Sequence, residues 1–343
     1  MRILLIGPQY FNYTSSIAEA LEALGHVVTP FGAAVYPTKG FGQVMKGMDN
    51  LLRRNDLRLW HQRRWNEGLI QKWSQIRPEI CFLINGELLL PETLKLFKKN
   101  GTKIIFWSID SIRSINQGFA NIPLYDKIFS LDLTDVEYVK ETTGATCFYS
   151  PVGYDDTIYK PQDCVQEIDI CFAGALTKNR RELLRIVSRY CLENNRKMEI
   201  WSQCWGTFHQ LKRASFILRY SPINKFLVNS WIAPQDLATV YSRSKICLNI
   251  HTTNHMGVNP RTFEIMGTKS FQLVNDSPQL EGLHFPEKHI VSYSSTEDLL
   301  SKIDFYLKNE EKRTQIAKNG YEYIKSHYTM KHMVSNIMKE SGF

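Results

Sequence analysis

The chain lacks the segments that are typical of membrane and secreted proteins. Its longest apolar runs, such as Ile3–Ile6 and Ile80–Ile84, have the length of strands, so the sequence predicts no transmembrane helix. A strand follows Arg2 without a hydrophobic region or a small-residue cleavage site, so we expect no secretory signal. The seven cysteines are odd in number and form no Cys-x-x-Cys pair. We therefore expect a reduced, cytoplasmic protein without a structural zinc site.

Repeats, low-complexity tracts and the common phosphate-binding motifs are also missing. The loop at residues 174–181 follows a predicted strand, but it has neither the Walker spacing nor a Gly-x-Gly-x-x-Gly pattern. This excludes a P-loop or a dinucleotide fingerprint there. The loop does offer a glycine, the N–H groups of a helix start and several basic side chains, which together outline a diphosphate clamp.

What the chain does have is a soluble-protein composition and a local excess of positive charge. The composition is 43% hydrophobic and 22% charged. The length of 343 residues is enough for two domains with a core each. The net charge is +8, and residues 178–225 alone hold eleven Lys/Arg against three Asp/Glu. Such a field suits an anionic ligand, an anionic lipid surface or a nucleic-acid backbone. A helix face exposed to solvent explains part of this excess of basic residues almost as well.

Two stretches combine basic and aromatic residues and are candidates for contact with an acceptor. They are Lys46–Trp65 and Phe208–Lys225. Either stretch could rest on an anionic membrane that bears a lipid-linked acceptor, or follow a nucleic-acid backbone, which is the less favoured partner. Packing of a long helix is the favoured interpretation of the tryptophans in the first stretch.

Strands alternate with helices along the chain, which predicts parallel sheets covered on both faces. The pattern restarts after a linker that contains Pro151, Gly153 and Pro161. We predict a first domain over residues 1–155, a second over 156–327 and a C-terminal helix over 328–343 that packs back on the first. Polar residues follow three strands of the first domain, as Asn85-Gly86-Glu87, Asp110 and Asp132. Ligands of such sheets bind beyond the carboxyl ends of the strands.

The segment Asn259–Asp276 is the most informative part of the sequence. It predicts a turn at Asn259-Pro260, a short helix from about Arg261 to Met266 that stops at Gly267, and a following strand. Arg261 would lie in the first turn, where free N–H groups favour an anion. Glu264 would lie one turn later and could accept hydrogen bonds from vicinal hydroxyls. These features describe a seat for a nucleotide diphosphate and its ribose; a surface salt bridge is the alternative.

This segment resembles the carboxy-terminal signature of the CgeB-like, or spore-maturation-protein-like, glycosyltransferases, which are related to retaining family 4-type enzymes of the GT-B fold. Phe106–Asp110 is similar to that group's Trp-x-x-Asp strand end, and Asp169–Leu184 to the first strand, loop and helix of its second domain. The resemblance covers roughly residues 100–276. One feature departs from it: Glu264 matches the second of two glutamates eight positions apart, but Met256 occupies the position of the first.

The resemblance implies an α/β GT-B fold, in which two Rossmann-like, doubly wound domains face a central cleft and C-terminal helices close the structure. It implies a hexosyltransferase that is retaining and metal-independent. Its donor would be a nucleotide diphosphate sugar, with UDP-sugar slightly favoured, and no cofactor is needed. Its acceptor would be a surface polysaccharide, spore-coat material or a lipid-linked sugar, in the cytoplasm or at the inner membrane face.

Three alternatives remain open. The first is a phage-type transferase that modifies DNA bases, the second a nucleotide-sugar epimerase, and the third a non-catalytic coat protein that binds sugar nucleotides. Met256 in place of the first glutamate keeps the third alternative open.

The resemblance and the strand-end positions together nominate the site residues. The expected donor-binding residues are Gly7, Gly174, Lys178, Arg180, His251, Gly257, Asn259, Arg261 and Glu264. Asp110 is expected to orient or deprotonate the acceptor, although a loop-bracing aspartate is an equal alternative. Arg180 and Arg261 are expected to stabilise the leaving diphosphate. His251 and His255 have the spacing of a metal pair but no third ligand, so no metal site is predicted.

Overall fold

The computed structural model describes residues 1–8, 12–33, 56–204, 210–251, 257–277, 280, 283 and 288–343. The chain divides into two compact units. The first comprises Met1–Val152 together with Met330–Phe343, and the second comprises Gly153–Thr329. The fold is described below for each unit by itself.

The first unit is built on a six-stranded parallel sheet in the order β2-β1-β3-β4-β5-β6. Its strands are β1 (Arg2–Pro8), β2 (Val27–Ala33), β3 (Ile80–Ile84), β4 (Lys103–Ser108), β5 (Lys127–Ser130) and β6 (Cys147–Tyr149). All five residues of β3 are buried, as a continuous apolar run predicts for a strand covered on both faces.

Helices cover this sheet. They are α1 (Tyr13–Ala23), α2 (Asp56–Ile76), α3 (Pro91–Lys99), α4 (Asn116–Ala120), α5 (Leu133–Thr143) and, from the end of the chain, the helix Met330–Glu340. The last helix packs against α1. It buries Met333, Val334 and Ile337, whose spacing of one and three positions places them on one helix face.

The second unit repeats the architecture with the strand order β12-β11-β10-β7-β8-β9, again parallel throughout. Its strands are β7 (Ile168–Ala173), β8 (Met198–Trp201), β9 (Leu227–Val228), β10 (Ser244–Asn249), β11 (Gln272–Asn275) and β12 (Val291–Tyr293). Its helices are Lys178–Glu193, Gln210–Arg219, Ser221–Asn224, Pro234–Ser242, Arg261–Gly267, Thr296–Lys308 and Glu310–His327. The two sheets confirm the predicted fold class of two Rossmann-like α/β domains.

The helix stops at Gly267, as predicted, but the C-cap is Thr268 and not the glycine. Gly267 is the last residue inside its helix, and the chain turns afterwards at Thr268 and at Lys269, which has a φ of 58°. A Cβ atom at position 267 would lie 2.6 Å from two ring carbons of the buried Tyr154. The glycine is therefore required for side-chain packing and not for the helix end.

Candidate functional site

The most prominent polar cluster of the second unit lies at the carboxyl ends of the adjacent strands β7 and β10. Gly174 follows β7 with a φ of 151°, a conformation that favours glycine. A Cβ atom there would lie 3.1 Å from Cζ and from Nη2 of Arg261, so the guanidinium rests against the bare backbone. Within the described ranges, no hydrogen bond or ion pair engages the Arg261 side chain. Its donors are therefore available to a ligand.

Arg180 supplies a second positive charge at the same place. It lies in the first turn of the helix Lys178–Glu193 and is only 4% exposed. Its Nε and Nη2 donate to the carbonyl oxygen of Ile250 at 2.9 and 2.7 Å, and its Nη1 donates to that of Ala175 at 3.1 Å. Burial, and then the charge of Arg261, lower its pKa to about 10. Arg180 still carries its proton at neutral pH, so two cations are held close together.

His251 follows β10 and is 7% exposed. Its backbone N–H donates to Oδ1 of Asn275, and its Nε2 lies 3.4 Å from Oγ1 of Thr262. Its buried Nδ1 has no hydrogen-bond partner in the part of the chain that the structure describes. Burial, and then the charges of Arg261 and Arg180, lower the pKa of His251 to about 4. The imidazole is therefore neutral at physiological pH and offers a hydrogen bond without a charge.

Glu264, the other predicted donor-binding residue of the Arg261 helix, lies one turn after Arg261. It is 8% exposed, and its carboxylate raises the pKa of two buried phenols, Tyr159 and Tyr241, although burial raises both more. Arg261 lowers the pKa of the same two phenols, so the two charged side chains share one environment. This neighbourhood agrees with the sequence-based expectation that Arg261 and Glu264 lie together.

A network of buried amides shapes the loop that leads to Arg261. Asn249 donates from Nδ2 to Oγ1 of Thr262 at 2.9 Å and to Oε1 of Gln272 at 3.1 Å. Its Oδ1 accepts a bond of 2.9 Å from Nδ2 of Asn259, which is one of the predicted donor-binding residues. Gln272 in turn donates to the carbonyl oxygen of Thr262 at 2.9 Å. These bonds fix the entry to the Arg261 helix from two neighbouring strands.

Sequence reasoning missed Asn249, Thr262 and Gln272 as members of this region. The available signal was a polar side chain inside an otherwise apolar strand, at Asn249 after Cys247-Leu248 and at Gln272 before Leu273-Val274. Such residues need partners when they are buried, and the partners here come from neighbouring segments.

Tyr293, at the end of β12, was also missed. Its buried hydroxyl has no hydrogen-bond partner among the described residues. Burial raises its pKa, and the charge of Arg180 acts in the opposite direction, which places the phenol near that guanidinium.

The remaining predicted residues of the second unit lie at the edges of this cluster. Lys178 is exposed at the first position of its helix, and Gly257 is buried just before Val258. His255 and Met256 lie outside the described residues.

In the first unit, Asp110 is exposed directly after β4, and Nδ2 of Asn85 donates to its Oδ2 at 3.0 Å. Burial, and then the charge of Asp110, raise the pKa of Glu87, while Arg58 opposes them. Asp132 instead caps helix α5, since its Oδ1 accepts from the Thr134 backbone N–H at 2.9 Å. One polar corner is therefore formed by Asn85, Glu87 and Asp110. The Asp132 side chain instead has the structural role of capping a helix.

Gly7, predicted to approach the donor, lies buried inside β1. A Cβ atom there would lie 2.6 Å from Oγ1 of Thr14 and 2.8 Å from Cδ1 of Ile84. Packing against α1 and β3 thus requires the glycine, whatever its relation to a ligand.

Among the residues that the structure describes, no three side chains of His, Cys, Asp or Glu lie together as a set of metal ligands would. No described helix is both long enough and apolar enough to cross a bilayer.

Comparison with known proteins gives a family match for the C-terminal part of the chain and a fold match for nearly the whole chain. Residues 180–339 match the family described as "Glycosyl transferase-like". A search of curated proteins gave no significant match.

Several solved structures are similar over nearly the whole length, and three of them are described here. Sucrose-phosphate synthase from Thermosynechococcus elongatus is 10% identical, with 99% of this chain and 98% of that chain covered and a TM-score of 0.70. HepE from Anabaena, solved in complex with UDP-glucose, is 10% identical, with 99% of both chains covered and a TM-score of 0.66. A glycosyltransferase from Rickettsia africae is 12% identical, with 99% and 97% covered and a TM-score of 0.64.

At such low identity these structures show the fold and nothing more. They give the chain the GT-B fold, and the family match shows that residues 180–339 are similar to glycosyl transferases.

Proposed function

We propose that the chain is a glycosyltransferase whose second unit binds a nucleotide diphosphate sugar, with a UDP-sugar as the favoured donor. The observation that carries the proposal is the pair of guanidiniums at the ends of β7 and β10. Arg180 is buried and bonded to main-chain carbonyls, and the Arg261 side chain makes no hydrogen bond or ion pair with any described residue. Two adjacent cations repel one another, and an anion of two or more charges relieves that repulsion.

A diphosphate fits this corner in charge and in shape. Arg261 would contact it directly, with Gly174 keeping the approach open. Arg180 would attract the diphosphate through its charge without direct contact. Lys178 would supply a further cation from the start of its helix. During transfer the negative charge on the leaving diphosphate grows, and fixed cations stabilise it most at that stage. Basic side chains would then do the work that a metal ion does elsewhere, which is why we propose a metal-independent reaction.

The remaining contacts would orient the nucleotide and the sugar. Glu264 would accept hydrogen bonds from the ribose hydroxyls. His251, neutral at physiological pH, would donate or accept one hydrogen bond at the phosphate or the sugar, and Asn259 and Gly257 would contribute from the same loop. In a retaining reaction on one face of the sugar, the leaving diphosphate itself takes the acceptor proton. Asp110 of the first unit would orient the acceptor hydroxyl.

The names of the similar structures support the donor class, since one was solved with UDP-glucose and another is named a glycosyltransferase. A thermal-shift screen against UDP-, GDP-, ADP- and CMP-sugars tests the proposal. A donor present at a hundred times its Kd should stabilise the protein by about 2.7 kcal/mol. Failure of every nucleotide diphosphate sugar to raise the melting temperature would contradict it.

The acceptor in this proposal is a surface polysaccharide, spore-coat material or a lipid-linked sugar. The basic excess over residues 178–225 supports a contact with an anionic surface. Salt-sensitive retention on vesicles with anionic lipids, compared with retention on DNA, distinguishes this acceptor class from a DNA-modifying transferase. Stronger retention on DNA would favour the latter.

A second candidate is a sugar-nucleotide-binding protein without transferase activity. The observation in its favour is Met256 at the position where related enzymes have their first glutamate. Slow hydrolysis of the donor in the absence of acceptor would support the enzyme, whereas binding without any donor turnover would support the second candidate.

A further inference from the structure

Asn85 ends strand β3 in an unusual backbone conformation. Its φ is 61°, its side chain is buried, and its N–H donates to the carbonyl oxygen of Trp107 on the next strand at 3.1 Å. Gly86 follows with a φ of 64°. Asparagine tolerates the left-handed region better than most residues, but two such residues in succession make a sharp turn with little freedom.

The Asn85 side chain bonds to the loop that carries Asp110. Its Oδ1 accepts the N–H of Ile109 at 2.9 Å, and its Nδ2 donates to Oδ2 of Asp110 at 3.0 Å. One planar amide thus holds both the backbone before Asp110 and the carboxylate itself. An amide is suited to this, because it supplies an acceptor and a donor at a fixed separation.

The same loop is held from its other flank. Oγ of Ser108 donates to the carbonyl oxygen of Asp110. The buried carboxylate of Asp135 then accepts from the N–H of Ile112 at 2.7 Å and from Oγ of Ser111 at 3.1 Å. Asp110 is therefore an exposed carboxylate between two anchored neighbours, and the Asn85 side chain donates a hydrogen bond to that carboxylate.

We infer that Asn85 is a positioning residue that fixes the orientation of the Asp110 carboxylate for contact with the acceptor. The inference rests on the proposed transferase function. Among the described residues, the ionisable groups Glu87 and Arg58 also lie near this corner. Without the amide, the Asp110 carboxylate loses the hydrogen bond that orients it, so transfer should fall while donor binding in the second unit is retained.

Two variants separate the side chain of Asn85 from its backbone. Asn85→Gly keeps the left-handed conformation and removes both side-chain bonds. Asn85→Asp keeps an acceptor for the Ile109 N–H and replaces the donor to Asp110 by a second anion. We expect kcat to fall at least tenfold in both variants, with the affinity for UDP unchanged. Normal turnover by both would overturn the inference.

A double-mutant cycle makes the test specific. If Asn85 acts through Asp110, adding Asn85→Gly to Asp110→Asn should not reduce turnover further. Losses that multiply independently would assign Asn85 a separate role and overturn the inference. Asn121→Ala is the matched control, because Asn121 is also buried and donates to the carbonyl oxygen of Leu89 at 2.9 Å without touching Asp110. It should lower stability and leave kcat near that of the wild type.

A second readout does not depend on activity. The pKa of Glu87, followed by carboxyl ¹³C NMR, should fall in Asp110→Asn, because the neighbouring anion that raises it is gone. If Asn85 holds Asp110 in place, the same pKa should fall in Asn85→Gly as well. An unchanged pKa in Asn85→Gly would overturn the inference even in an active enzyme. Absence of turnover by the wild type would count against the proposed function, and this titration would still decide the role of Asn85.

Discussion

At the scale of single residues, the chain tolerates an arrangement that costs free energy without a ligand. Arg180 and Arg261 lie close enough for each to act on the pKa of the same imidazole, and Arg180 keeps its charge around pH 7. The repulsion between two neighbouring guanidiniums opposes folding, and such a pair is expected where an anion binds. His251, held neutral beside them, belongs to the same pattern.

His251 predicts a pH dependence of stability. Its pKa is lowered to about 4 in the folded protein, against about 6.5 in the unfolded chain. Between these values the unfolded state binds a proton that the folded state does not, so stability is complete above pH 6.5 and falls as the pH drops towards 4. This side chain accounts for a loss of up to about 3 kcal/mol.

Chemical denaturation of the wild type and of His251→Gln at several pH values measures that loss. The variant should lose less stability between pH 6.5 and 4. The pKa values of His26 and His289 are lowered too, but both residues are present in both proteins and cancel in the comparison. Equal slopes for the two proteins would contradict the interpretation of His251.

At the scale of elements, sequence patterns could predict the strands because a parallel strand covered on both faces must be apolar throughout. The C-terminal helical segment is interrupted at Tyr328-Thr329, between the helices Glu310–His327 and Met330–Glu340. The sequence patterns failed at Gly267, where a glycine near a helix end suggested a cap. The glycine is needed because the ring of Tyr154, about 110 residues away in the sequence, packs against it. A local sequence pattern does not contain that contact.

Gly267→Ala should therefore be strongly destabilising. The new methyl group would lie 2.6 Å from the ring of Tyr154 and 2.9 Å from the carbonyl oxygen of Tyr159, so the helix or the ring must move. We expect a loss of about 1–3 kcal/mol in the free energy of unfolding. Gly68→Ala is the control, because the one described residue that a Cβ at this helical position would meet is Phe31, at an ordinary 3.9 Å. An equally mild effect of both substitutions would refute the packing argument.

Gly174→Ala should act on the ligand as well as on the fold. A methyl group at this position would press on the Arg261 guanidinium, and the backbone φ of 151° is strained for alanine. We expect UDP to bind more weakly, while uridine, which has no phosphate, is affected little. In a variant that is shown to be folded, UDP affinity equal to that of the wild type would separate Gly174 from the diphosphate site.

At the scale of the whole molecule, the fold follows from an alternation of strands and helices that occurs once in each unit. The candidate site cannot be derived from that alternation. The closeness of Gly174 and Arg261 requires β7 to lie beside β10, an order that their positions along the chain do not reveal. The amides of Asn249 and Gln272 meet only because β10 pairs with β11. Residue types could nominate Arg261 and Glu264, but their surroundings depend on the topology of the sheet.

The two units also predict a separation of binding from turnover. Asp110 belongs to the first unit, and the proposed nucleotide contacts belong almost entirely to the second. Asp110→Asn should leave UDP affinity within a few tenths of a kcal/mol and lower transfer by on the order of 100-fold. Calorimetry and a transfer assay on the same preparation measure both. Loss of UDP binding in this variant would place Asp110 on the donor side.

The central claim is that Arg261 binds the diphosphate of a nucleotide sugar. Isothermal titration of UDP and of uridine into the wild type, Arg261→Ala and Arg185→Ala tests it most directly. Arg185 is the control, because it is a partly exposed arginine of the Arg180 helix that pairs with Glu182 at 3.1 Å. Arg261→Ala should weaken UDP binding by about 1.5–3 kcal/mol, the range for hydrogen bonds to charged groups. Uridine binding, and both affinities of Arg185→Ala, should stay at wild-type values. Wild-type affinity of Arg261→Ala for UDP, or equal losses for UDP and uridine, would contradict the account.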